Sequence, residues 1–315
     1  MSLSTRSMKP NLKENRANLL YLKNTMERLV RSRVSPRAAF LEAQALVTHY
    51  GRMNRLDFIT GRRGLTPGAK KSIARAVSSR RGGKPLSYVL RKAEFLGHSF
   101  FVTPDTLIPR METEVLAEEA LRVMRSLDSL RSLGTTARQP RVRPLEILDI
   151  GTGCGCLAVG LTIARPDCRM TALDISREAL EVARRNIRSH GLAGKIKLVQ
   201  SDLFGAFGSE DKGRWDMIVS NPPYVREGEI PSLSREVRSE PRLALNGGRD
   251  GERVVRTLLE KAPYFLKKDG WLLVEIGDGQ SKRLARWIAK RNDFRNLRFV
   301  KDMPGRDRVL VVGRG

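Results

Sequence analysis

The chain has 315 residues, of which 40% are hydrophobic and 30% charged, a composition typical of soluble proteins and long enough for one large domain beside a smaller one. No apolar stretch reaches the length of a membrane span and residues 1–10 lack the apolar core of a secretory signal, so we expect a cytoplasmic protein without a membrane partner. We also expect a monomer. Cys154, Cys156 and Cys168 are too few for a disulfide framework, and no ligand spacing predicts a metal site.

The formal net charge of +25 is concentrated near the N-terminus. Residues 1–110 contain 22 Lys and Arg against 6 Asp and Glu, and the run from Arg80 to Lys92 has no acidic residue. Such a positive field attracts acidic partners or partners embedded in nucleic acid. Two interpretations stay open: proximity to the ribosome or to nucleic acid through this basic N-terminal region, or solvated arginine-rich faces that bind nothing.

Residues 11–81 have the periodicity of amphipathic helices. Ser35-Pro36 and Thr66-Pro67 are helix starts, because Ser and Thr cap the first turn and Pro fits the first helical position. The second of these precedes a helix predicted over Ala69 to Ser79. We therefore predict a small all-α domain over residues 1–82.

Residues 83–144 are predicted to form a hairpin, a helix and a linker. Glycines and a proline end the preceding helix, and residues 88–102 have the aromatic and β-branched content of a β-hairpin. Residues 112–127 then have helical periodicity. The arginine-rich stretch 131–144, with Gly134 and two prolines, is typical of an exposed linker.

From residue 145 onward, short apolar strands alternate with amphipathic helices. The strands are predicted at 145–150, 169–174, 195–200, 215–220, 270–276, 296–301 and 307–312, and the helices at 156–165, 177–190, 251–267 and 279–291. This alternation predicts a doubly wound α/β sheet. The last two strands are joined by Met303-Pro304-Gly305, which is too short for a crossover, so they should form an antiparallel hairpin. A seven-stranded sheet with this edge hairpin is the class I, Rossmann-like methyltransferase sheet.

A strand, a glycine-rich turn and a helix predict a cofactor site at the start of residues 145–315. The turn consists of Gly151, Thr152, Gly153, Cys154 and Gly155. Glycines let the backbone approach a ligand, and the helix N-terminus adds a partial positive charge. The Gly-x-Gly-x-Gly spacing differs from that of dinucleotide folds and favours a cofactor without a pyrophosphate, such as S-adenosyl-L-methionine.

Acidic residues stand at the ends of the next two strands. Asp174, 23 residues after Gly151, is predicted to accept hydrogen bonds from the ribose hydroxyls, and Asp202 with Leu203 to contact the adenine. A glycine turn alone is often a tight turn without a ligand. The two acids at successive strand ends favour the cofactor site.

The fourth predicted strand runs into Asn221-Pro222-Pro223-Tyr224. A planar amide or aryl amine nitrogen is a poor nucleophile, and the Asn221 oxygen with the Pro222 carbonyl could hold both of its hydrogens. The prolines fix the backbone, and Tyr224 could stack on the flat group. The alternative is an ordinary Asn-Pro turn; its place at a strand end beside a cofactor loop favours a methyl-transfer site. Adenine amino groups and glutamine amides fit the same acceptors.

These segments resemble the HemK/PrmC family from about Ser35 to the C-terminus. The matching segments are Phe95-Leu96-Gly97, Phe101-Val102-Thr103-Pro104, Leu107-Ile108-Pro109-Arg110-Met111-Glu112-Thr113-Glu114, Gly151-Thr152-Gly153, Asn221-Pro222-Pro223-Tyr224, Glu240-Pro241-Arg242-Leu243-Ala244-Leu245, Gly247-Gly248-Arg249-Asp250-Gly251, and Glu275-Ile276-Gly277 with Gln280. The resemblance implies methylation of the glutamine in the Gly-Gly-Gln loop of peptide chain release factors. It also implies that the N-terminal domain helps to dock the release factor.

The resemblance further implies roles for single residues. Residues 151–155, Asp174 and Leu203 would bind the cofactor, Asn221 would contact both ligands, and Pro222 to Tyr224 would hold the glutamine. Leu203 replaces a residue that is often aromatic in the family, so adenine stacking should be weaker. Arg110 is predicted to bind substrate at the cleft; the alternative is an ion pair with Glu112 or Glu114.

Three other functions stay open from the residues alone. The first is methylation of a glutamine in a large-subunit ribosomal protein, which the basic charge could serve. The second is methylation of adenine in nucleic acid, which would require the base to be flipped out. The third is a ribosome- or RNA-binding protein with an inactive cofactor fold, against which intact Asp174 and Asn221 argue.

Overall fold

The structure, a computed structural model, describes residues 11–30, 35–133 and 143–315. The described chain separates into two compact units, one formed by the residues up to Arg91 with Arg235–Ser239, the other by Lys92–Ser234 with Glu240–Gly315. Within the described ranges, no helix is both long and apolar enough to cross a membrane. The division into three domains at residues 82 and 144 stays a prediction.

Five α-helices lie among the described residues of the first unit. They are α1 (Leu12–Val30), α2 (Pro36–Gly51), α3 (Arg55–Thr60), α4 (Pro67–Arg81) and α5 (Leu86–Leu90). The predicted caps are present, because Ser35 Oγ accepts from the backbone N–H of Ala38 at 3.3 Å and Thr66 Oγ1 from that of Ala69 at 3.1 Å. Leucine, alanine and aromatic side chains of these helices form one core. The helical N-terminal region is confirmed.

The first part of the predicted hairpin is wrong. Tyr88 lies buried in α5, and only β1 (Ala93–Phe95) and β2 (His98–Phe100) pair as an antiparallel hairpin. Leu86, Val89 and Leu90 recur at helical spacing and pack against the core of the first unit. Their packing outweighs the strand preference of the β-branched and aromatic side chains.

The second unit is built on a seven-stranded sheet. In chain order it contains α6 (Met111–Leu133), β3 (Glu146–Ile150), α7 (Cys156–Ala164), β4 (Arg169–Asp174), α8 (Arg177–Ser189), β5 (Ile196–Gln200), β6 (Trp215–Ser220), α9 (Arg242–Leu245), α10 (Arg253–Phe265), β7 (Leu266–Glu275), α11 (Ser281–Ile288), β8 (Phe294–Lys301) and β9 (Asp307–Arg314). The strand order is β5-β4-β3-β6-β7-β9-β8, with β9 antiparallel to both neighbours and the other pairs parallel. The predicted fold class is confirmed.

Two boundaries in this unit differ from the sequence prediction by four residues or more. Strand β7 begins at Leu266, four residues early, because Leu266 pairs with Trp215 ahead of a bulge. Helix α6 continues to Leu133, so the first three residues of the predicted linker are helical. Residues 134–142 of that linker lie outside the described residues.

The sheet core explains the apolar runs of the sequence. Every residue of β6 is buried, as expected for a parallel strand covered on both faces. Trp215 is fully buried, and Phe204 stacks on Phe265 with ring centroids 4.6 Å apart. Each such side chain contributes roughly 1.5–3 kcal/mol by burial. The packed sheet therefore holds the carboxyl ends of β3 to β7 rigidly at one edge.

Candidate active site

A cavity of about 750 Å³ lies at the carboxyl edge of the sheet. Its wall includes Gly151, Thr152, Gly153, Cys154, Asp174, Asp202, Leu203, Asn221 and Pro223. The structure thus brings together every residue of the predicted cofactor set except Gly155, together with two residues of the acceptor segment. Gly155, Pro222, Tyr224 and Arg110 are not part of the wall.

The glycine turn is shaped by hydrogen bonds to the neighbouring strand. The backbone N–H groups of Gly151 and Thr152 both donate to the carbonyl of Leu173, at 2.9 and 2.8 Å. Gly155 has a φ of +82°, and a Cβ there would lie 3.2 Å from the Cβ of Ala183 in α8. Glycine is therefore required at this position both by backbone conformation and by helix packing, even though Gly155 does not reach the cavity.

Two carboxylates anchor the turn. The Thr152 hydroxyl donates to Asp149 Oδ2 at 2.7 Å, and burial raises the pKa of Asp149 to about 7. Asp174 accepts from the backbone N–H of Gly153 through Oδ2 at 2.9 Å and from that of Ser176 through Oδ1 at 3.0 Å. Burial raises the pKa of Asp174, while these N–H donors oppose the rise. Asp174 is thus held against the turn by backbone donors and, with about four acceptor sites on its two oxygens, can still accept from a ligand.

The third strand end contributes an exposed acid beside an apolar side chain. Asp202 is exposed, whereas Leu203 packs against the sheet core. Leu203 has a φ of +47°, and its carbonyl accepts from Ser201 Oγ at 2.8 Å. This bond stabilises the left-handed backbone conformation at Leu203, whose side chain is part of the cavity wall.

Asn221 follows β6 directly and has one side-chain atom paired and one unpaired. Its Nδ2 donates to Thr113 Oγ1 at 2.9 Å, while Oδ1 is buried and has no hydrogen-bond partner among the described residues. The carbonyl oxygen of Pro222 likewise accepts no hydrogen bond from the described chain. Asn221 Oδ1 is therefore an open acceptor in the cavity wall, which is unusual because buried polar atoms are nearly always paired.

The exit of the acceptor segment is clamped by Gln280. Gln280 Nε2 donates to the carbonyls of Tyr224 at 3.3 Å and Gly251 at 2.9 Å, and Oε1 accepts from the backbone N–H of Gly277 at 2.8 Å. Gly251 has a φ of +79°, and a Cβ there would meet the Tyr224 carbonyl at 2.5 Å. Two separate segments of the chain, one containing Gly251 and one containing Gly277 and Gln280, therefore fix the end of the segment that begins with Asn221.

Tyr224 lies beside Glu275, the last residue of β7. Burial and then the Glu275 carboxylate raise the pKa of the Tyr224 hydroxyl above its usual value. Burial also raises the pKa of Glu275, to about 7. The Tyr224 hydroxyl is therefore neutral across the physiological pH range.

Arg110 forms an ion pair, with a partner that the sequence did not suggest. Its guanidinium contacts the buried carboxylate of Glu240, which also accepts from the backbone N–H of Ile108 at 3.1 Å. Glu114 instead accepts from the backbone N–H of Leu96 at 2.7 Å. An ion pair between Arg110 and Glu114 is thus not formed, and the substrate-binding role of Arg110 stays a prediction.

Sequence reasoning assigned no role to four residues around this site. They are Thr113, Glu240, Glu275 and Gln280, which lie in the matching segments quoted above. In the sequence, only their position within those segments indicates that they belong to the site. Apart from the bonds of Gln280 to Gly277 and Gly251, their partners lie 56 to 162 residues away along the chain, so no local pattern could identify these contacts.

Known proteins resemble the chain in sequence and in fold. The family model of the methyltransferase small domain matches residues 136–248. Release factor glutamine methyltransferase of Geobacter sulfurreducens is 38% identical over 235 residues, covering 74% of this chain and 75% of the relative. Its counterpart in Nitratidesulfovibrio vulgaris is 35% identical over 296 residues, covering 93% and 94%. The solved catalytic domain of hMettl16, in complex with a 3′UTR hairpin, shares the fold at a TM-score of 0.53 and 14% identity, covering 76% and 81%.

Proposed function

Because this chain belongs to the family of release factor glutamine methyltransferases, we propose that it methylates the side-chain amide nitrogen of the glutamine in the Gly-Gly-Gln loop of peptide chain release factors, with S-adenosyl-L-methionine as the methyl donor. Family membership confirms the resemblance to the HemK/PrmC family and the predicted cofactor. The observation that carries the proposal is the unpaired Asn221 Oδ1 beside the cavity.

The residues of the glycine turn fit S-adenosyl-L-methionine. A Cβ built on Gly151 or Gly153 would meet no atom within 4 Å, so both glycines border open space that a ligand can approach. We assign Gly151, Thr152, Gly153, Cys154 and Asp174 to the cofactor, with Asp202 and Leu203 at its adenine end; Gly155 supports the turn. When bound, this cofactor supplies an electrophilic methyl group.

The acceptor segment supplies what a glutamine amide needs in order to react. The amide nitrogen gains a methyl group and gives up one of its two hydrogens as a proton. Asn221 Oδ1 and the Pro222 carbonyl each accept one N–H, which orients the nitrogen and stabilises the positive charge that develops on it. Pro223 lines the cavity wall, and Tyr224, as a neutral hydroxyl, borders the flat substrate group. The released proton passes to water.

The location and association of the protein are part of the same proposal. A cytoplasmic location is supported by the named substrates of the relatives, because release factors act in translation. Proximity to the ribosome is supported by exposed cations of the first unit, among them Lys71, Arg75, Arg81, Lys84 and Arg91. Action as a monomer stays a prediction.

The proposal is tested with purified protein, methyl-labelled S-adenosyl-L-methionine and a recombinant release factor. We expect label on the release factor, and none on a variant release factor whose Gly-Gly-Gln glutamine is replaced by alanine. An enzyme that binds the cofactor but leaves the release factor unlabelled would contradict the proposal. Label on a ribosomal protein or on nucleic acid in a cell extract would identify one of the alternative functions instead.

A further inference from the structure

An amide side chain has two orientations that differ only in the exchange of its oxygen and nitrogen. A turn of about 180° around the last side-chain bond of Asn221 would present Nδ2, a donor, to the cavity where an acceptor is needed. Something in the protein must therefore select the orientation in which Oδ1 faces the substrate. Asn221 itself contains nothing that makes this choice.

Thr113 contacts the other end of the Asn221 amide. Its hydroxyl has one hydrogen, which it donates to Glu275 Oε2 at 2.7 Å, so that a lone pair remains to accept from Asn221 Nδ2 at 2.9 Å. Thr113 is 4% exposed and Glu275 is fully buried, so water does not compete for these bonds. Because a carboxylate only accepts hydrogen bonds, Glu275 sets the direction in which these bonds donate, from Asn221 Nδ2 to Thr113 Oγ1 and from Thr113 Oγ1 to Glu275. We call this pair of bonds the relay.

The fold brings these three side chains together from distant segments. Ser220 pairs with Val274 in the parallel ladder of β6 and β7, so the next residues, Asn221 and Glu275, lie side by side at the carboxyl edge of the sheet. Thr113 lies in the first turn of α6, where its backbone N–H donates to the Arg110 carbonyl at 3.1 Å. Residues 107–114, which contain Thr113, thus contact the site although they lie far in sequence from residues 221–224.

We propose that Thr113 and Glu275 are positioning residues that hold the Asn221 amide with its oxygen toward the methyl acceptor. If Asn221 turned over, Oδ1 would face a hydroxyl whose hydrogen is committed to Glu275. Restoring a bond there would require the Thr113 hydrogen to turn away and leave the buried carboxylate without it. Leaving a buried group without a hydrogen-bond partner is costly enough to favour one orientation by about 5- to 150-fold. This inference rests on the proposed function.

The ionisation of Glu275 offers a second way to probe the same relay. A protonated Glu275 can either donate to Thr113 or accept from it, so protonation weakens the preference for one orientation of the Asn221 amide. Glu112, Tyr224 and Arg308 face this carboxyl group, and among them Arg308 and Tyr224 favour the ionised form while Glu112 opposes it. With the pKa of Glu275 near 7, kcat should fall severalfold as the pH drops from 8 to 6.

The kinetic test compares Thr113→Val with Thr113→Ser. Valine keeps the volume and removes the hydroxyl, so kcat should fall at least about tenfold, with cofactor affinity by calorimetry unchanged. Serine keeps the hydroxyl and should restore kcat to within about threefold of wild type. Thr162→Val is the matched control, since Thr162 is fully buried and its hydroxyl donates to the Ala158 carbonyl at 2.8 Å within α7. Equal losses in the valine and serine variants would show a packing role and overturn the proposal, as would a Thr113→Val enzyme with wild-type kcat.

The Glu275→Gln variant covers the case in which Thr113→Val fails to fold. It should have a severalfold lower kcat that no longer falls between pH 8 and 6. In the double variant the two losses should not multiply, because both remove the same relay. Fully multiplicative losses, or an unchanged acid limb in Glu275→Gln, would contradict the relay.

A readout independent of turnover separates this inference from the proposed function. In ¹⁵N-labelled protein, the side-chain NH₂ signal of Asn221, assigned by its loss in Asn221→Asp, should be protected from hydrogen exchange. It should exchange at least tenfold faster in Thr113→Val. Equal exchange in both proteins would overturn the inference even if the release factor is methylated. Faster exchange with no methylation of the release factor would leave the relay intact and reject the substrate.

Discussion

The two halves of the cavity are held in different ways. In the half formed by the glycine turn, hydrogen bonds join residues close in the chain: Thr152 and Asp149 are three residues apart, and Gly153 and Asp174 are 21 apart. In the half formed by Asn221, the bonds to Thr113 and from Thr113 to Glu275 span 108 and 162 residues. The turn is thus shaped largely by one strand-turn-helix-strand unit, whereas the acceptor half depends on the assembly of the whole sheet.

The two halves also differ in how completely they are paired. Both oxygens of Asp174 already accept backbone N–H groups. Asn221 has an oxygen that accepts nothing within the described chain. A carboxylate whose two oxygens both accept hydrogen bonds within the protein keeps its geometry whether or not a ligand is present, whereas the unpaired Asn221 oxygen is a cost that an incoming N–H donor removes. We therefore expect changes in the first half to affect binding and changes in the second half to affect turnover.

Asn221→Ala should produce the largest effect. Loss of an acceptor that stabilises charge in the transition state typically lowers kcat by about 100- to 1000-fold. Cofactor affinity, measured by calorimetry, should stay within about threefold of wild type, since the glycine turn is not touched. Loss of cofactor binding together with turnover in this variant would contradict the claim that the two halves act separately on binding and on turnover.

Glu275→Gln should change how stability depends on pH. Burial raises the pKa of Glu275 from 4.5 to about 7, so the folded state holds its proton more tightly than the unfolded state. The stability from this group is complete below pH 4.5 and is lost as the pH rises through 7, by up to about 3 kcal/mol. Glutamine does not titrate, so the melting temperature of the variant minus that of wild type should be larger at pH 8 than at pH 5. A difference that is the same at both pH values would show that Glu275 does not titrate in this window.

Asp174→Asn should weaken cofactor binding with little effect on kcat at saturation. The asparagine nitrogen would face one of two backbone N–H donors, and hydrogen bonds to a charged acceptor contribute about 1.5–3 kcal/mol. We expect a roughly 10- to 100-fold higher dissociation constant by calorimetry. The exposed Asp167→Asn is the matched control and should bind as wild type does. A large fall in kcat at saturating cofactor would show that Asp174 affects turnover as well as binding and would contradict the division into two halves.

Leu203→Phe should produce the smallest effect. Leu203 lines the cavity at the end that we assign to the adenine, and an aromatic ring there should add about 0.5–1.5 kcal/mol of stacking. Cofactor affinity should rise by about two- to tenfold, with kcat unchanged. Weaker binding in this variant would show that the left-handed backbone at Leu203 directs the ring away from the ligand.

The same contrast explains how far the sequence could predict the molecule. Apolar runs and glycine spacing are local signals, so the sequence could predict the alternation of strands and helices, the edge hairpin and the glycine turn with Asp174. The helical position of Tyr88 was not, because its neighbours Leu86 and Leu90 are helical through their packing against other helices. The relay from Glu275 through Thr113 was also out of reach, because each bond joins side chains from different segments. The sequence could thus predict that Asn221 is an acceptor, and only the structure shows what holds it.

Mass spectrometry of release factors from cells lacking this protein tests the central claim most directly. The Gly-Gly-Gln glutamine should be unmethylated in these cells, methylated again when the wild-type chain is restored, and unmethylated when Asn221→Ala is restored at equal abundance. A glutamine that stays methylated in the absence of the chain would contradict the account.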